Sequence, residues 1–193
     1  AYEIKECDWS SDVCSSDLLS MSSLMIDIEG LGTGPDATIL TIAAQSFDPF
    51  GTGYYDRHYY ARITLESQEN RRIQDDTLAW WATQPEAQAE AFAEDNRIPL
   101  EQALDDLYKL AWQHDYIWAQ GPTYDINILE NAYKSYGKLQ PWKFYRVRDS
   151  RTVLSLWPER PVPPTSHHAL EDTRKQIDIL QQTLKHLNVK DIR

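Results

Sequence analysis

The 193-residue sequence predicts an α/β domain, a mixed sheet of five strands with the first three antiparallel, flanked by helices. Three observations carry this reading. Leu24-Met-Ile-Asp-Ile-Glu-Gly30 alternates apolar and acidic residues as a strand does. Two more strand-forming runs, Thr38 to Phe47 and Tyr54 to Ile63, follow at hairpin distance. Beyond them, segments with apolar residues at helical spacing alternate with two short strands, Asp115 to Gln120 and Phe144 to Val147.

The opening strand carries the chemistry. Successive side chains of a strand alternate faces, so Asp27 and Glu29 share one face while Ile26 and Ile28 take the other. Neighbouring carboxylates repel, and a fold that keeps them together needs a cation or a shared proton to neutralise the pair. An edge strand with one solvated face is the alternative.

Gly30-Leu-Gly-Thr-Gly-Pro35 is a turn-rich loop, and Asp48-Pro-Phe-Gly-Thr-Gly53 is a hairpin-like connection to the tyrosine-rich third strand. A helix begins at Asp76 and ends near Gln84, because the residue before a proline is disfavoured in helical conformation. Pro85 and Pro99 each open a further helix, the second with Leu100, Ala103, Leu104, Leu107, Leu110 and Ala111 on one face. The Trp80–Trp81 pair offers rings for stacking on bases; the reading preferred here packs one ring inward and lays the other over a neighbouring loop.

Asp125 opens a helix that carries Ile128, Leu129, Ala132, Tyr133 and Tyr136, so it reads either as an N-cap or as a site residue. Its position after a strand favours the second reading, because open α/β sheets gather their sites at strand carboxyl ends. Lys138 to Arg151 is the basic stretch, with five cations interleaved with Trp142, Phe144 and Tyr145, a composition suited to single-stranded nucleic acid. Arg148 and Arg151 beside Asp149 are also compatible with an ion-pair network. After the proline-rich loop Pro158 to Thr165, Thr165 or Ser166 can cap a final helix whose start holds His167, His168 and Asp172. A histidine beside a carboxylate there can move a proton in or out of a water. Helix geometry alone pairs His168 with Asp172, four residues on.

Length and composition set outer limits. The chain suits one domain with a substantial core, and 41% hydrophobic with 25% charged residues is globular composition. No apolar run approaches the roughly 20 residues that span a bilayer, and the acidic, Ser-rich Ala1 to Ser20 has no apolar core of a secretory leader. Asp8-Trp-Ser-Ser-Asp-Val-Cys-Ser-Ser-Asp-Leu18 looks like a translated sequencing adaptor, so residues 1–20 are expected to be a non-native, disordered extension and 21–193 the domain. Re-amplification from source DNA is expected to return a reading frame starting at Met21; recovery of the upstream codons contradicts this. Both cysteines, Cys7 and Cys14, fall in that extension, which leaves a domain without disulfides or thiolate metal ligands, as suits a reducing compartment. The net charge of −11 includes five acids and one base from residues 1–20. The remaining acidity excludes broad phosphate neutralisation but not an enzyme that grips a strand end through metal ions and a local basic patch.

Taken together, Asp27-Ile-Glu29, Tyr124-Asp125 at a helix start, and His167-His-Ala-Leu-Glu-Asp172 resemble the three motifs of the DEDDh 3′–5′ exonucleases, members of the ribonuclease-H-like superfamily. Thr77-Leu-Ala-Trp-Trp81, Ile98-Pro-Leu100, Trp142-Lys-Phe-Tyr145 and Arg148-Asp-Ser-Arg-Thr152 are similar to the phage and prophage branch that also contains a mycobacterial exoribonuclease. The resemblance implies a ribonuclease-H-like fold and two-metal hydrolysis of the terminal phosphodiester of single-stranded DNA or RNA, or of a 3′ overhang, with Mg²⁺ or Mn²⁺. Asp27 would bridge both ions, Glu29 and Asp172 would complete the first, Asp125 would support the second, and His167, not His168, would be the general base. Substrate contacts are implied at Gly30, Leu31, Tyr124, Arg148 and Arg151, along with a cytoplasmic location in a bacterial or phage-infected cell and a possible homodimer. Many relatives have a hydroxyl residue where this chain has Gly30. A proofreading-type subunit and a catalytically silent binding module on the same fold are the competing readings.

Overall fold

The computed structural model describes residues 22–192, so the expectation for residues 1–20, Cys7 and Cys14 included, lies outside the described residues. Six strands form one sheet: β1 (Ser23–Gly30), β2 (Ile39–Phe47), β3 (His58–Ile63), β4 (Arg97–Ile98), β5 (Tyr116–Ala119) and β6 (Val147–Asp149), in the order β4-β3-β2-β1-β5-β6. β1, β2 and β3 form the antiparallel meander, while β4, β5 and β6 each join in parallel. β1 is therefore paired on both sides over Ser23–Met25 and with β2 alone beyond, where both acids stand half-buried and not on a solvated face.

Two differences from the expected elements have local causes. The sheet has six strands, not five, because Arg97 and Ile98 pair with the end of β3 before Pro99 turns the chain into a helix; two residues are too few to show alternation. The strand expected over Phe144 to Val147 is a 3₁₀ turn at Phe144–Arg146, and pairing begins only at Val147, opposite Ile117. Phe144 is 83% exposed, so its ring marks the surface and not a sheet face.

Among the described residues, six α-helices pack with this sheet: α1 (Asp75–Trp81), α2 (Pro85–Ala91), α3 (Leu100–Ala111), α4 (Asp125–Ser135), α5 (Ser150–Ser155) and α6 (Ala169–His186). Leu24, Ile26 and Ile28 bury one face of β1 against α3 and α4. Met25, on the opposite face, joins Trp118 and the α6 residues Ile177, Leu180 and Leu184. Each such buried aliphatic side chain contributes roughly 1.5–3 kcal/mol, and together they fix α6 across the face on which Asp27 and Glu29 stand. A third cluster, Leu31, Leu40, Trp81, Ala87 and Ala91, seats α1 and α2 beside the end of β1. α5 was not anticipated from the sequence; the Asp149 carboxylate caps it, accepting from the Arg151 N–H at 3.0 Å and from Thr152 Oγ1 at 2.6 Å. Among the described residues, no helix is long and apolar enough to cross a membrane.

Candidate active site

The site forms where β1 outruns its neighbour. β5 pairs with β1 only over Ser23–Met25, which leaves the later peptides of β1 without a strand on that side. Asp125 takes over the next contact, its Oδ1 accepting the Ile28 N–H at 3.1 Å. Asp125 is the first residue of α4 and Tyr124 occupies the cap position without a side-chain cap bond, so the N-cap reading is replaced by this bond to β1. A register shift in the β1–β2 pairing falls between Glu29 and Gly30. Such bulges re-aim side chains near sites.

Asp172 arrives from α6. It does not receive the expected cap, because His168 holds the cap position and Thr165 and Ser166 turn instead onto the Asp172 carboxylate. Thr165 Oγ1 donates to Oδ2 at 2.7 Å, the N–H and Oγ of Ser166 both donate to Oδ1 at 2.9 Å, and the His167 N–H donates to Oδ2 at 2.8 Å. Although burial works the other way, these bonds and Lys175 hold the Asp172 carboxyl below its ordinary value.

The other three acids respond oppositely. Burial, reinforced by Asp125 and Glu29, raises Asp27 well above the usual aspartate range. Burial and the charges of Asp172 and Asp125 push Glu29 up to about 8. Burial also lifts Asp125 to about 7, despite N–H donors and the Arg151 charge acting against it. A pocket of mutually repelling carboxylates with an imidazole beside them is one that a divalent cation would neutralise. One ligand atom from each of Glu29, His167 and Asp172 lies within 4.8 Å of the others.

Asp27, Glu29, Asp125, His167 and Asp172 line one cleft of about 470 Å³, together with Tyr124, Arg151 and Gln176. His167 precedes α6 in a left-handed conformation, φ +53°, and its ring meets Trp80 edge-on at 5.0 Å. Trp81 turns inward, 1% exposed, and its Nε1 donates to the Gly30 carbonyl at 3.0 Å, whereas Trp80 stays 39% exposed over the His167 loop. An adjoining cleft of about 880 Å³ shares Glu29 and Tyr124 and adds Gly30, Gly32, Thr33, Gln74 and Trp80.

Two residues expected to contact substrate have their side chains packed against other parts of the fold. Leu31 is 1% exposed within the α1–α2 cluster. Arg148 lies over the Tyr116 ring at 4.3 Å and donates to the Ile192 carbonyl at 3.2 Å, away from the cleft. Most of the basic stretch is similarly engaged, with Lys138 paired to Glu101 and Asp105 and Arg146 to Asp115. Gln176 was missed from the sequence. It is 9% exposed and its Nε2 donates to Asp27 Oδ1 at 2.9 Å; its place four residues after Asp172, on the same helix face, was the available signal.

Gly30 is required by close approach. A Cβ there would stand 3.0 Å from Tyr124 Oη and 3.1 Å from the Thr38 carbonyl oxygen. Gly30→Ala is therefore expected to cost about 1–3 kcal/mol, the usual penalty for overpacking, and to displace the Tyr124 ring; thermal melts and Tyr124 ring NMR shifts unchanged from wild type contradict this.

Two acids at the carboxyl end of a central strand, met by Asp125 from α4 and Asp172 from α6, on a meander extended by parallel strands, define the class: a 3′–5′ exonuclease domain of the DEDDh type on a ribonuclease-H-like fold. The chain belongs to the family described as the 3′–5′ exoribonuclease Rv2179c-like domain, whose profile matches residues 22–184. It is 26% identical to an exodeoxyribonuclease of Enterobacteria phage T4, over 86% of this chain and 90% of the relative. Among solved structures, it resembles a zinc-bound E. coli exonuclease I complex with single-stranded DNA (TM-score 0.63, 15% identity, 88% of this chain and 42% of that one). It also resembles exonuclease I of Methylocaldum szegediense (TM-score 0.66, 12% identity, 87% and 41%) and cell-death related nuclease 4 (TM-score 0.62, 12% identity, 86% and 64%). The chain thus spans about two fifths of the exonuclease I chains it matches.

Proposed function

We propose that this chain hydrolyses the terminal phosphodiester at the 3′ end of single-stranded nucleic acid or of a 3′ overhang, releasing nucleoside 5′-monophosphates. The observation that carries the proposal is the convergence of Asp27, Glu29, Asp125, Asp172 and His167 on one cleft. Asp27, Glu29 and Asp172 would hold one divalent cation, and Asp27 with Asp125 a second. Two such ions, when bound, neutralise the carboxylates and the charge that develops on the leaving oxygen.

His167 is the general base. One of its ring nitrogens lies within 4.8 Å of carboxylate oxygens of Glu29 and Asp172, so it would accept the proton that an attacking water placed there loses. Gln176 fixes the rotamer of Asp27 through Oδ1 and leaves Oδ2 for a cation. Arg151, anchored on the Gln120 carbonyl at 2.9 Å, brings positive charge to a cleft that must receive a phosphate. Tyr124 stands at the junction of the two clefts, where a terminal nucleotide would pass from one to the other. Arg151→Ala is expected to raise KM about tenfold or more, the loss of one charge-assisted hydrogen bond, with kcat less affected; an unchanged KM contradicts the phosphate role. The resemblance also brings a cytoplasmic location and a homodimer into the proposal.

The test is digestion of 3′-labelled, matched DNA and RNA strands with Mn²⁺, with overhang and blunt duplexes alongside and Asp27→Ala as control. Labelled mononucleotide released from single strands by the wild type, and not by Asp27→Ala, is the expected result. No shortening of either strand, with fluorescence reporting tight binding, overturns the proposal in favour of a binding module.

A further inference from the structure

The histidine next to the proposed base has a different environment. His168 does not line the carboxylate cleft. Its ring stacks on Tyr60 of β3 at 5.0 Å and 26°, and its Nε2 stands 3.5 Å from Glu90 Oε1 in α2. Glu90 is held in turn: Tyr60 Oη donates to Oε1 at 2.6 Å, and Arg62 Nη2 reaches both carboxylate oxygens at 2.7 and 2.8 Å. Although burial opposes it, these donors keep the Glu90 carboxyl below its ordinary value, so it is an ionised acceptor at neutral pH. His168 Nδ1 is buried with no hydrogen-bond partner. The ring is therefore retained there by its other contacts, the Tyr60 face and the Glu90 carboxylate.

The His167 conformation needs such an anchor. A non-glycine residue in the left-handed region is strained and persists only where its surroundings over-determine it. On one side the His167 N–H is fixed by Asp172 Oδ2 at 2.8 Å. On the other side the next residue, His168, is extended at φ −105° and ψ 105°, with its ring locked between Tyr60 and Glu90.

We infer that His168 is a positioning residue: seated between Tyr60 and Glu90, it holds the His167 backbone in the left-handed turn that aims the His167 ring into the carboxylate cleft. The inference rests on reading His167 as the general base. It gives the paired histidines separate tasks, one facing the reaction and the other facing the α2–β3 wall.

A double-mutant cycle tests it, with wild type, His167→Ala, His168→Ala and the double variant assayed on a 3′-labelled oligonucleotide with Mn²⁺. His168→Ala is expected to lower kcat about 10–100-fold, the range for groups that orient a ligating or reacting side chain, with KM within about twofold. In the His167→Ala background the same substitution is expected to change nothing further, because the group it positions is gone. The ring-current shift that the Trp80 ring, 5.0 Å away, imposes on the His167 ring protons should also change in His168→Ala.

Losses that multiply across the cycle, or an unmoved His167 spectrum, overturn the positioning role. An inactive His167→Ala with a fully active His168→Ala overturns it while leaving the base assignment standing. A fully active His167→Ala overturns that assignment instead, and with it this inference. Should His168→Ala fail to fold, Glu90→Gln keeps the shape of the network while removing the charge that faces Nε2. It is then expected to lower kcat in the wild-type background only, and equal losses in both backgrounds overturn the inference.

Discussion

Asp27→Asn is expected to abolish exonuclease activity while stabilising the metal-free protein. The asparagine keeps an oxygen for the Gln176 amide, which donates to Asp27 Oδ1 at 2.9 Å, so the local packing survives. What disappears is the carboxylate proposed to bridge two cations. Divalent ions supply several kcal/mol of transition-state stabilisation, so losing their bridge should cost at least about 10³-fold in rate. Stability moves the other way, because the Asp27 charge is opposed by burial, Asp125 and Glu29. Removing it should raise the melting temperature at pH 8, by about 2–4 °C for each kcal/mol recovered in a domain of this size. Saturating Mn²⁺ should reverse the order, since only the wild type gains binding energy. Thermal melts with and without Mn²⁺ check both signs, and a variant less stable than wild type without metal contradicts the account.

The second large effect is on pH. Burial heads the causes that place Glu29 at about 8 against an ordinary 4.5 and Asp125 at about 7 against 3.8. The folded state therefore binds these protons more tightly than the unfolded chain does. The stability this contributes is complete below about pH 4, falls as pH rises and is gone above about pH 8, a change on the order of a few kcal/mol for the coupled cluster. Asp172 has the opposite sign: its lowered value supports the fold at neutral pH, and that support is lost only on strong acidification. Cations bind deprotonated carboxylates and restore what the rising pH removes. The Mn²⁺-induced rise in melting temperature should thus be several-fold larger at pH 8.5 than at pH 6. An equal rise at both values would show that the acids are not competing with protons for the ion.

Much of this arrangement was legible because it depends on short-range periodicity. The alternation in Leu24–Gly30 put two acids on one face of a strand, and Pro85 and Pro99 marked helix starts that the structure contains. Asp125 could be located by its place after a strand, but its bond to Ile28, 97 residues away, depends on where β5 stops pairing with β1. The histidines show the limit of periodicity most clearly. Helix geometry selects His168, yet the left-handed turn at His167 breaks the helical phase before α6 begins.

Residues whose partners are distant in sequence are placed by pairing that periodicity does not carry. Arg148 carries charge next to Arg151 in sequence, but the parallel pairing of β5 and β6 sends it to Tyr116 and the chain end while Arg151 lines the cleft. Thr165 and Ser166 had the composition of helix caps and instead hydrogen-bond the Asp172 carboxylate. β4 left no pattern to read, since two residues have no period.

The measurement closest to the centre of this account is electron paramagnetic resonance of Mn²⁺ titrated into the metal-free protein at pH 8. The six-line signal of free aqueous Mn²⁺ should be suppressed until two ions per chain are bound, and Asp27→Asn should leave most of that signal intact. A wild-type titration indistinguishable from buffer would contradict the claim that Asp27, Glu29, Asp125 and Asp172 form a cation-binding pocket.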